Sequence, residues 1–183
     1  MKIGILPIGR INRALMISLG NKLGQVFPDA IFLVTSEILT LRKEGFDKKR
    51  KQYRSNAILT EIQVYANKKS DLNRVLGVVD NDISVPELNF VFGEAACPGK
   101  AALISLWRLN PEFYGDAPNM GLFLDRALKE AVHELGHTLG LRHCSTSSCV
   151  MHFSNSILDT DKKQNLFCDR CYMQAEISIN NLG

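Results

Sequence analysis

Apolar and polar positions follow three distinct patterns over the first 35 residues of the chain. Residues 2–6 form a short apolar run, which predicts a buried β-strand. Residues 11–26 carry apolar side chains at steps of three or four, which predicts a helix that is closed by Pro28. Residues 30–35 are apolar and rich in β-branched side chains, as in a second strand. This order predicts a right-handed crossover between two parallel strands.

The middle of the chain alternates again between helical and extended patterns. A polar cap at Ser55 or Asn56 starts a second predicted helix, which ends near Asn67 and has an apolar face at Ile58, Leu59, Ile62 and Tyr65. Three further strands are predicted, at residues 75–79, 89–95 and 101–106. The last two form a hairpin. These elements together predict an α+β fold with a mixed, twisted sheet of about five strands.

The longest amphipathic pattern starts near Asn119 and ends at Gly140. Its apolar residues fall at steps of three or four and mark a buried face: Leu124, Leu128, Ala131, Leu135 and Leu139. After Gly140 the pattern weakens, and a further helix is expected only within residues 157–167. We expect a single domain, 1–183, with an N-terminal lobe at 1–140 and a C-terminal lobe at 141–183 that is too short to bury a core alone.

The end of this long helix combines histidines with a glutamate at spacings that suit a metal ion. His133 and His137 are four residues apart, so a helix places both imidazoles on one face, where they can hold zinc. Glu134 lies between them, where it can take a proton from a water on that zinc. His143 reaches the same ion only if the helix ends first, and Gly140 permits that end. Three imidazoles with an open position for water are typical of a catalytic zinc site.

Four of the five cysteines follow directly after the third histidine. Cys144 and Cys149, then Cys168 and Cys171, have the spacing Cys-x4-Cys and Cys-x2-Cys, which suits a tetrahedral zinc site of four thiolates. Two disulfides or free thiols are the alternatives, but clustered cysteines in a reducing compartment bind metal more often than they pair. Cys97 stands outside the cluster as a small buried or loop residue. The sequence therefore predicts two zinc ions per chain, one catalytic and one structural.

With Cys149-Val150-Met151 and the closing Cys-x-x-Cys, this motif resembles that of the archaemetzincins, a branch of the metzincin clan of zinc peptidases. Residues 51–53 and 89–93 also resemble that family. The resemblance implies a metzincin-like fold in which Met151 forms a methionine turn beneath the zinc, as packing and not as a ligand. It also implies that substrate lies beside an edge strand of the sheet, for which residues 101–106 are the candidate.

The function that the resemblance implies is hydrolysis of peptide bonds by a zinc metallopeptidase, with aminopeptidase action as one option. In that mechanism zinc activates a water, and Glu134 acts as the general base and later hands the proton to the leaving amine. A zinc-binding scaffold or regulatory protein with little or no peptidase activity is the alternative, although a pure binder has no need of Glu134.

Two residues beside these clusters carry weaker chemical indications. We expect His152 to be an ordinary surface or core histidine, against the alternative of a transient zinc ligand or substrate contact. Tyr172 stands next to a cysteine ligand and is expected to pack, against the alternative of stabilising an oxyanion.

The bulk composition narrows the choice of partners. The 183 residues are 45% apolar, which suffices for a core, and the net charge of +3 is too small to indicate nucleic acid. We expect the basic run at residues 48–51 to be a solvated loop; nucleic-acid binding through it and a four-cysteine zinc ribbon is the weaker alternative. No apolar run is long enough for a membrane span or a signal peptide, so we expect a cytoplasmic monomer that acts on peptides or proteins.

Overall fold

Residues 1–181, the part of the chain that this computed structural model describes, form eight β-strands and five α-helices. The strands are β1 (Lys2–Ile8), β2 (Ile31–Val34), β3 (Phe46–Asp47), β4 (Gln52–Arg54), β5 (Arg74–Val79), β6 (Ile83–Ser84), β7 (Gly93–Ala95) and β8 (Ala101–Ser105). The α-helices are α1 (Arg13–Val26), α2 (Ser55–Lys68), α3 (Met120–Thr138), α4 (Ile157–Lys162) and α5 (Asp169–Asn180). The predicted β1-α1-β2 unit is present, and its two strands are parallel.

Five of these strands form the central sheet, in the order β2-β1-β5-β8-β7. The first four are parallel to one another, and β7 runs antiparallel to β8. β5 and β8 are buried along their whole length, because helices cover both faces of the sheet. The predicted α+β fold with a mixed sheet of about five strands is confirmed.

The last strand of the sheet on the cleft side is β7, so the prediction that residues 101–106 form this edge is wrong. β8 lies between β5 and β7, and all five of its residues are buried. Its unbroken apolar sequence is typical of an interior strand. The predicted hairpin is present, but its first strand is only Gly93–Ala95, and irregular backbone precedes it over residues 89–92.

A second, three-stranded sheet, β3-β4-β6, was not predicted. Strands of two or three residues show too few positions for an alternating pattern to be visible. The basic run forms the turn between β3 and β4, where the Asp47 side chain accepts hydrogen bonds from the backbone N–H groups of Lys49 and Arg50. Lys51 adopts a left-handed φ of 55° in this turn. The run is therefore a hairpin turn, and Arg50 is partly buried in it.

Helices enclose the sheet on both faces. α1 and α3 pack on one face and α2 on the other, over two separate clusters of buried side chains. The predicted stripe of α3 lies in the first cluster, with Leu124 at its partly buried margin. The cluster also includes Cys149, Val150 and Met151. The C-terminal part of the chain thus packs directly against α3.

The C-terminal part contains two helices, of which one was predicted. α4 falls inside the predicted range of 157–167, whereas α5 was missed. Only Cys171 and Ala175 of α5 are buried, so its apolar pattern is weak. Among the residues that the structure describes, no helix combines the length and the apolar character that crossing a membrane requires.

Buried charges join α4 to α3. Lys163 Nζ lies 3.0 Å from Glu130 Oε1, and these side chains are 0% and 4% exposed. The hydroxyl of Thr160 donates to the same Glu130 oxygen at 2.9 Å. Arg126 makes two hydrogen bonds of 2.7 Å to the carboxylate of Asp161. These contacts hold α4 against α3, the helix that carries His133 and His137.

Replacing Lys163 by methionine should lower the free energy of unfolding by about 3–5 kcal/mol, because the Glu130 carboxylate is left buried without its cation. Urea denaturation of zinc-loaded protein, followed by circular dichroism, measures the change. The double variant Glu130→Leu/Lys163→Met should recover most of the loss, since it buries no charge. A Lys163→Met protein as stable as the wild type would contradict this account.

Two candidate metal centres

The end of helix α3 has the backbone geometry that the histidine motif requires. Gly140 has a φ of 90°, in the left-handed region. The N–H of Leu141 donates to the carbonyl of Gly136 at 3.1 Å, which closes the last turn of the helix. The predicted break at Gly140 is therefore present. The chain reverses there and brings His143 back towards the helix.

The structure brings the three predicted histidines together. One ring nitrogen from each of His133, His137 and His143 lies within 4.8 Å of the other two. Nδ1 of His133 donates to the carbonyl of Val150 at 2.8 Å, and Nδ1 of His137 donates to that of Leu141 at 2.7 Å. A carbonyl oxygen only accepts, so both Nδ1 atoms are protonated and both Nε2 atoms carry lone pairs.

The positions of these lone pairs fit a zinc ion. The Nε2 atoms of His133 and His137 are 3.1 Å apart with no proton to share, which is unfavourable unless a cation lies between them. Two nitrogens bound tetrahedrally to one zinc at about 2.0–2.1 Å are about 3.3–3.4 Å apart. Burial lowers the pKa of His133 well below its usual value and also lowers the pKa of His137 and of His143. The imidazoles are thus neutral, as zinc ligands must be.

Glu134 lies beside the histidines and against β7. It is 5% exposed, and burial raises the pKa of its carboxyl well above the usual value; the charge of Glu130 raises it further and that of Lys163 opposes this. A Cβ atom on Gly93 would lie 2.6 Å from Cγ and Oε1 of Glu134 and 2.6 Å from the carbonyl of Leu103. Glycine at position 93 therefore makes the space that Glu134 occupies. Gly93 is the last residue of the segment 89–93 that resembles the archaemetzincins.

The histidines and Glu134 line a cleft of about 590 Å³. Residues 87–95 form its other wall, and Phe153, which was not predicted, packs on the ring of His143 with 5.0 Å between centroids. His152 and Tyr172 are not among the described residues that line the cleft. His152 donates from Nδ1 to the carbonyl of Cys144 at 2.9 Å, and Tyr172 is 51% exposed on α5.

The four predicted cysteine ligands also converge, with their sulfur atoms all within 4.8 Å of one another. All are free thiols, so the structure contains neither of the two alternative disulfides. The sulfurs of Cys144 and Cys168 are 3.8 Å apart, which is about the edge of a tetrahedron with zinc–sulfur bonds of about 2.3 Å. The fifth cysteine, Cys97, is exposed and lines the histidine cleft.

The protonation of these thiols is uneven. Burial raises the pKa of Cys171 and of Cys149. Burial acts in the same direction on Cys144, but hydrogen bonds from Thr146 and Arg170 outweigh it and lower the pKa of that thiol to about 6. Four sulfurs at this spacing cannot all ionise without a cation among them, and zinc is the ion that four thiolates prefer. The donor set fits a closed structural zinc site.

One short segment links the two centres. His143 and Cys144 are consecutive residues, and the N–H of Cys144 donates to the carbonyl of Met151 at 2.9 Å. The carbonyl of Val150 orients His133. Met151 is fully buried below α3 in the space that Gly136 leaves, since a Cβ there would lie 2.5 Å from its sulfur. Met151 therefore packs against α3 at Gly136.

Three imidazoles converge in this site, and two of them lie on one helix with a glutamate between them. Together with the mixed sheet, this arrangement is typical of the metallopeptidase class. A sequence model of peptidase family M54 matches residues 15–177 of the chain. The chain belongs to this family, and proteins named archaemetzincin match most of its length.

Individual relatives and solved structures agree with this assignment. The archaemetzincin of Pyrococcus abyssi is 42% identical over 178 residues, which are 96% of this chain and 94% of that protein. The archaemetzincin of Methanocaldococcus jannaschii is 45% identical over 176 residues, 96% and 93% of the two chains. The crystal structure of archaemetzincin from Methanopyrus kandleri superposes with a TM-score of 0.83 at 34% identity, over 98% of this chain and 96% of that one. A zinc-dependent peptidase from Methanocorpusculum labreanum gives a TM-score of 0.85 at 27% identity, over 94% and 99%.

Elemental analysis of protein purified under reducing conditions should find two zinc ions per chain, falling to one in His137→Ala. The reason is that His137 supplies a ligand atom to the histidine cluster and none to the cysteine cluster. Retention of two zinc ions by His137→Ala would contradict the assignment of this residue as a ligand.

Cys171→Ser is the reciprocal variant, and its effect should be asymmetric. It removes a ligand of the cysteine site and also loosens the segment whose Val150 carbonyl orients His133. Titration with a chelator should therefore show weaker zinc binding at the histidine site, by about 10–100-fold. Unchanged affinity there would show that the two centres are independent.

Proposed function

We propose that the chain is a peptidase in which His133, His137 and His143 hold a catalytic zinc and Glu134 is the general base. The observation that carries this proposal is the convergence of the imidazole nitrogens beside a buried carboxylate in an open cleft. A zinc ion held there supplies a Lewis acid that polarises a peptide carbonyl and lowers the pKa of bound water to about 7.

The chain's own groups then carry the proton and orient the ligands. Glu134 takes a proton from the attacking water and delivers it to the leaving amine. Burial raises the pKa of this carboxyl, and the charge of a zinc ion beside it would act in the opposite direction. The carbonyls of Val150 and Leu141 keep His133 and His137 in the tautomer whose Nε2 atoms can bind metal.

The cleft also suits an extended peptide. β7 is the last strand of the central sheet, and its three residues line the cleft. An extended substrate laid beside β7 would form backbone hydrogen bonds to the strand, as in other cases of strand addition. The edge strand proposed to bind substrate is therefore β7, in place of residues 101–106.

We further propose that a second zinc ion is held by Cys144, Cys149, Cys168 and Cys171, and that Met151 packs beneath the histidine site. We also propose that residues 1–183 are a single domain, in which the C-terminal lobe at 141–183 relies on this zinc for stability. In the same proposal, the protein is a cytoplasmic monomer that acts on peptides or proteins. Aminopeptidase action is the finer option within the same chemistry.

Replacing Glu134 by glutamine should lower turnover of peptides by about 10²–10⁴-fold and leave the zinc content unchanged, because the amide cannot take the proton. The assay is cleavage of a peptide library with free and acetylated N-termini, read by mass spectrometry. The same products distinguish aminopeptidase from endopeptidase action.

The exposed substitution Glu112→Gln is the control and should cleave as the wild type does. A wild type that binds two zinc ions and cleaves no peptide would favour the alternative of a zinc-binding scaffold. A Glu134→Gln protein as active as the wild type would remove Glu134 from the mechanism.

Gly93→Ala should lower turnover at least about ten-fold while both metal sites stay filled, because the added Cβ displaces the Glu134 carboxylate or β7 itself. Gly24→Ala is the matched control, since a Cβ at Gly24 meets no atom within 4 Å. Peptide turnover and zinc content are measured on both variants. Full activity of Gly93→Ala would mean that Glu134 does not need this space.

A further inference from the structure

The wall of the cleft opposite the histidines is backbone without regular structure. We call residues 85–92 the cleft-wall segment; it connects β6 to β7, and most of its residues line the cleft. A few backbone hydrogen bonds hold it, such as that from the N–H of Val91 to the carbonyl of Ile83 at 3.1 Å. Its position therefore depends strongly on the side chains that bind its carbonyl oxygens.

Arg50 donates to three of these carbonyls. Its Nη1 lies 3.2 Å from the oxygen of Val85, and its Nη2 lies 2.7 Å from that of Asn89 and also contacts that of Leu88. Its remaining nitrogen, Nε, donates to the side chain of Gln52 at 2.9 Å. All three guanidinium nitrogens are thus used, in the fixed planar geometry that distinguishes arginine from lysine.

Two further side chains extend this support. Gln52 donates from Nε2 to the carbonyl of Asn89 and to the carboxylate of Asp82, both at 2.9 Å. Asp82 in turn accepts two hydrogen bonds of 2.7 Å from Arg108. The guanidinium of Arg108 lies 4.3 Å from the centre of the Phe90 ring, which lines the cleft. The segment is therefore held along its length.

The hairpin turn between β3 and β4 aims Arg50 at this segment. Asp47 fixes the backbone at Arg50, and Lys51 turns the chain into β4 with its left-handed φ of 55°. Lys48, Lys49 and Lys51 are exposed, whereas Arg50 is partly buried. The basic run thus contains one residue with a structural task that its neighbours do not share.

We propose that Arg50 is a positioning residue that sets substrate affinity by fixing the cleft-wall segment. This inference rests on the proposed function, because it takes the cleft to be the site where peptides bind. Arg50 is not among the described residues that line the cleft. It acts through Val85, Leu88 and Asn89 and leaves proton transfer at Glu134 unchanged.

The test compares Arg50→Lys with Lys49→Arg, two variants that keep the net charge of the chain. Arg50→Lys should raise KM for a cleaved library peptide about ten-fold with kcat within about two-fold, since one nitrogen atom cannot reach the carbonyls that two guanidinium nitrogens bind. Hydrogen exchange at residues 85–92 should become faster, and the zinc content should stay the same. Lys49→Arg should match the wild type in every measurement. Gln52→Met, which loses the second contact to Asn89, should change KM in the same direction.

A binding measurement separates this inference from the proposed function. A dipeptide hydroxamate chelates zinc and places its side chains against the cleft walls, and its Kd should rise about ten-fold in Arg50→Lys. If the wild type binds it but cleaves no peptide, hydrolysis is rejected and the Kd values alone decide on Arg50. If the wild type neither binds nor cleaves, both proposals are rejected. Faster exchange with unchanged KM and Kd, or a fall in kcat alone, would overturn the positioning role.

Discussion

The peptide bond between His143 and Cys144 joins the two candidate metal centres, and much of the structure follows from that link. The helix must end before His143, so Gly140 takes a left-handed conformation. The chain must then return beneath α3, so that Val150 can meet His133. One segment carries His143, Cys144 and the carbonyl that accepts from His133, so a shift of this segment changes both centres. A single segment of eleven residues, 140–150, carries this constraint.

Around the centres, side-chain polar contacts replace regular backbone pairing. α4 is a short helix that is held on α3 by the buried pair of Glu130 and Lys163. The cleft-wall segment is held by the guanidinium of Arg50 from a different part of the chain. The contacts of Arg50 give irregular backbone beside the cleft a defined geometry, which a site needs if its walls are to be preorganised. The central sheet, in which four of the five strands are parallel, is the rigid element that carries these parts of the chain.

The sequence predicted those parts of the molecule whose geometry is local. The histidine spacing on α3, the break at Gly140 and the grouping of the cysteines follow from coordination chemistry and helix period alone. The order of strands does not, because β7 and β8 are both short and only long-range pairing decides which is the edge. The roles of Gly93 and Arg50 depend on contacts with residues about forty positions away, which no local pattern contains. α5 was missed because so little of it is buried.

The close approach of Gly136 to Met151 has a consequence for the motif itself. Metal ligation calls for histidine at positions 133 and 137, and proton transfer calls for glutamate at position 134. Neither places a demand on the two residues between the glutamate and the second histidine. Here the sulfur of Met151 occupies the volume where a side chain at position 136 would begin. Packing therefore removes a choice that coordination leaves free. The second x of His-Glu-x-x-His is therefore restricted to glycine in this chain, and a methionine fifteen residues away sets that restriction.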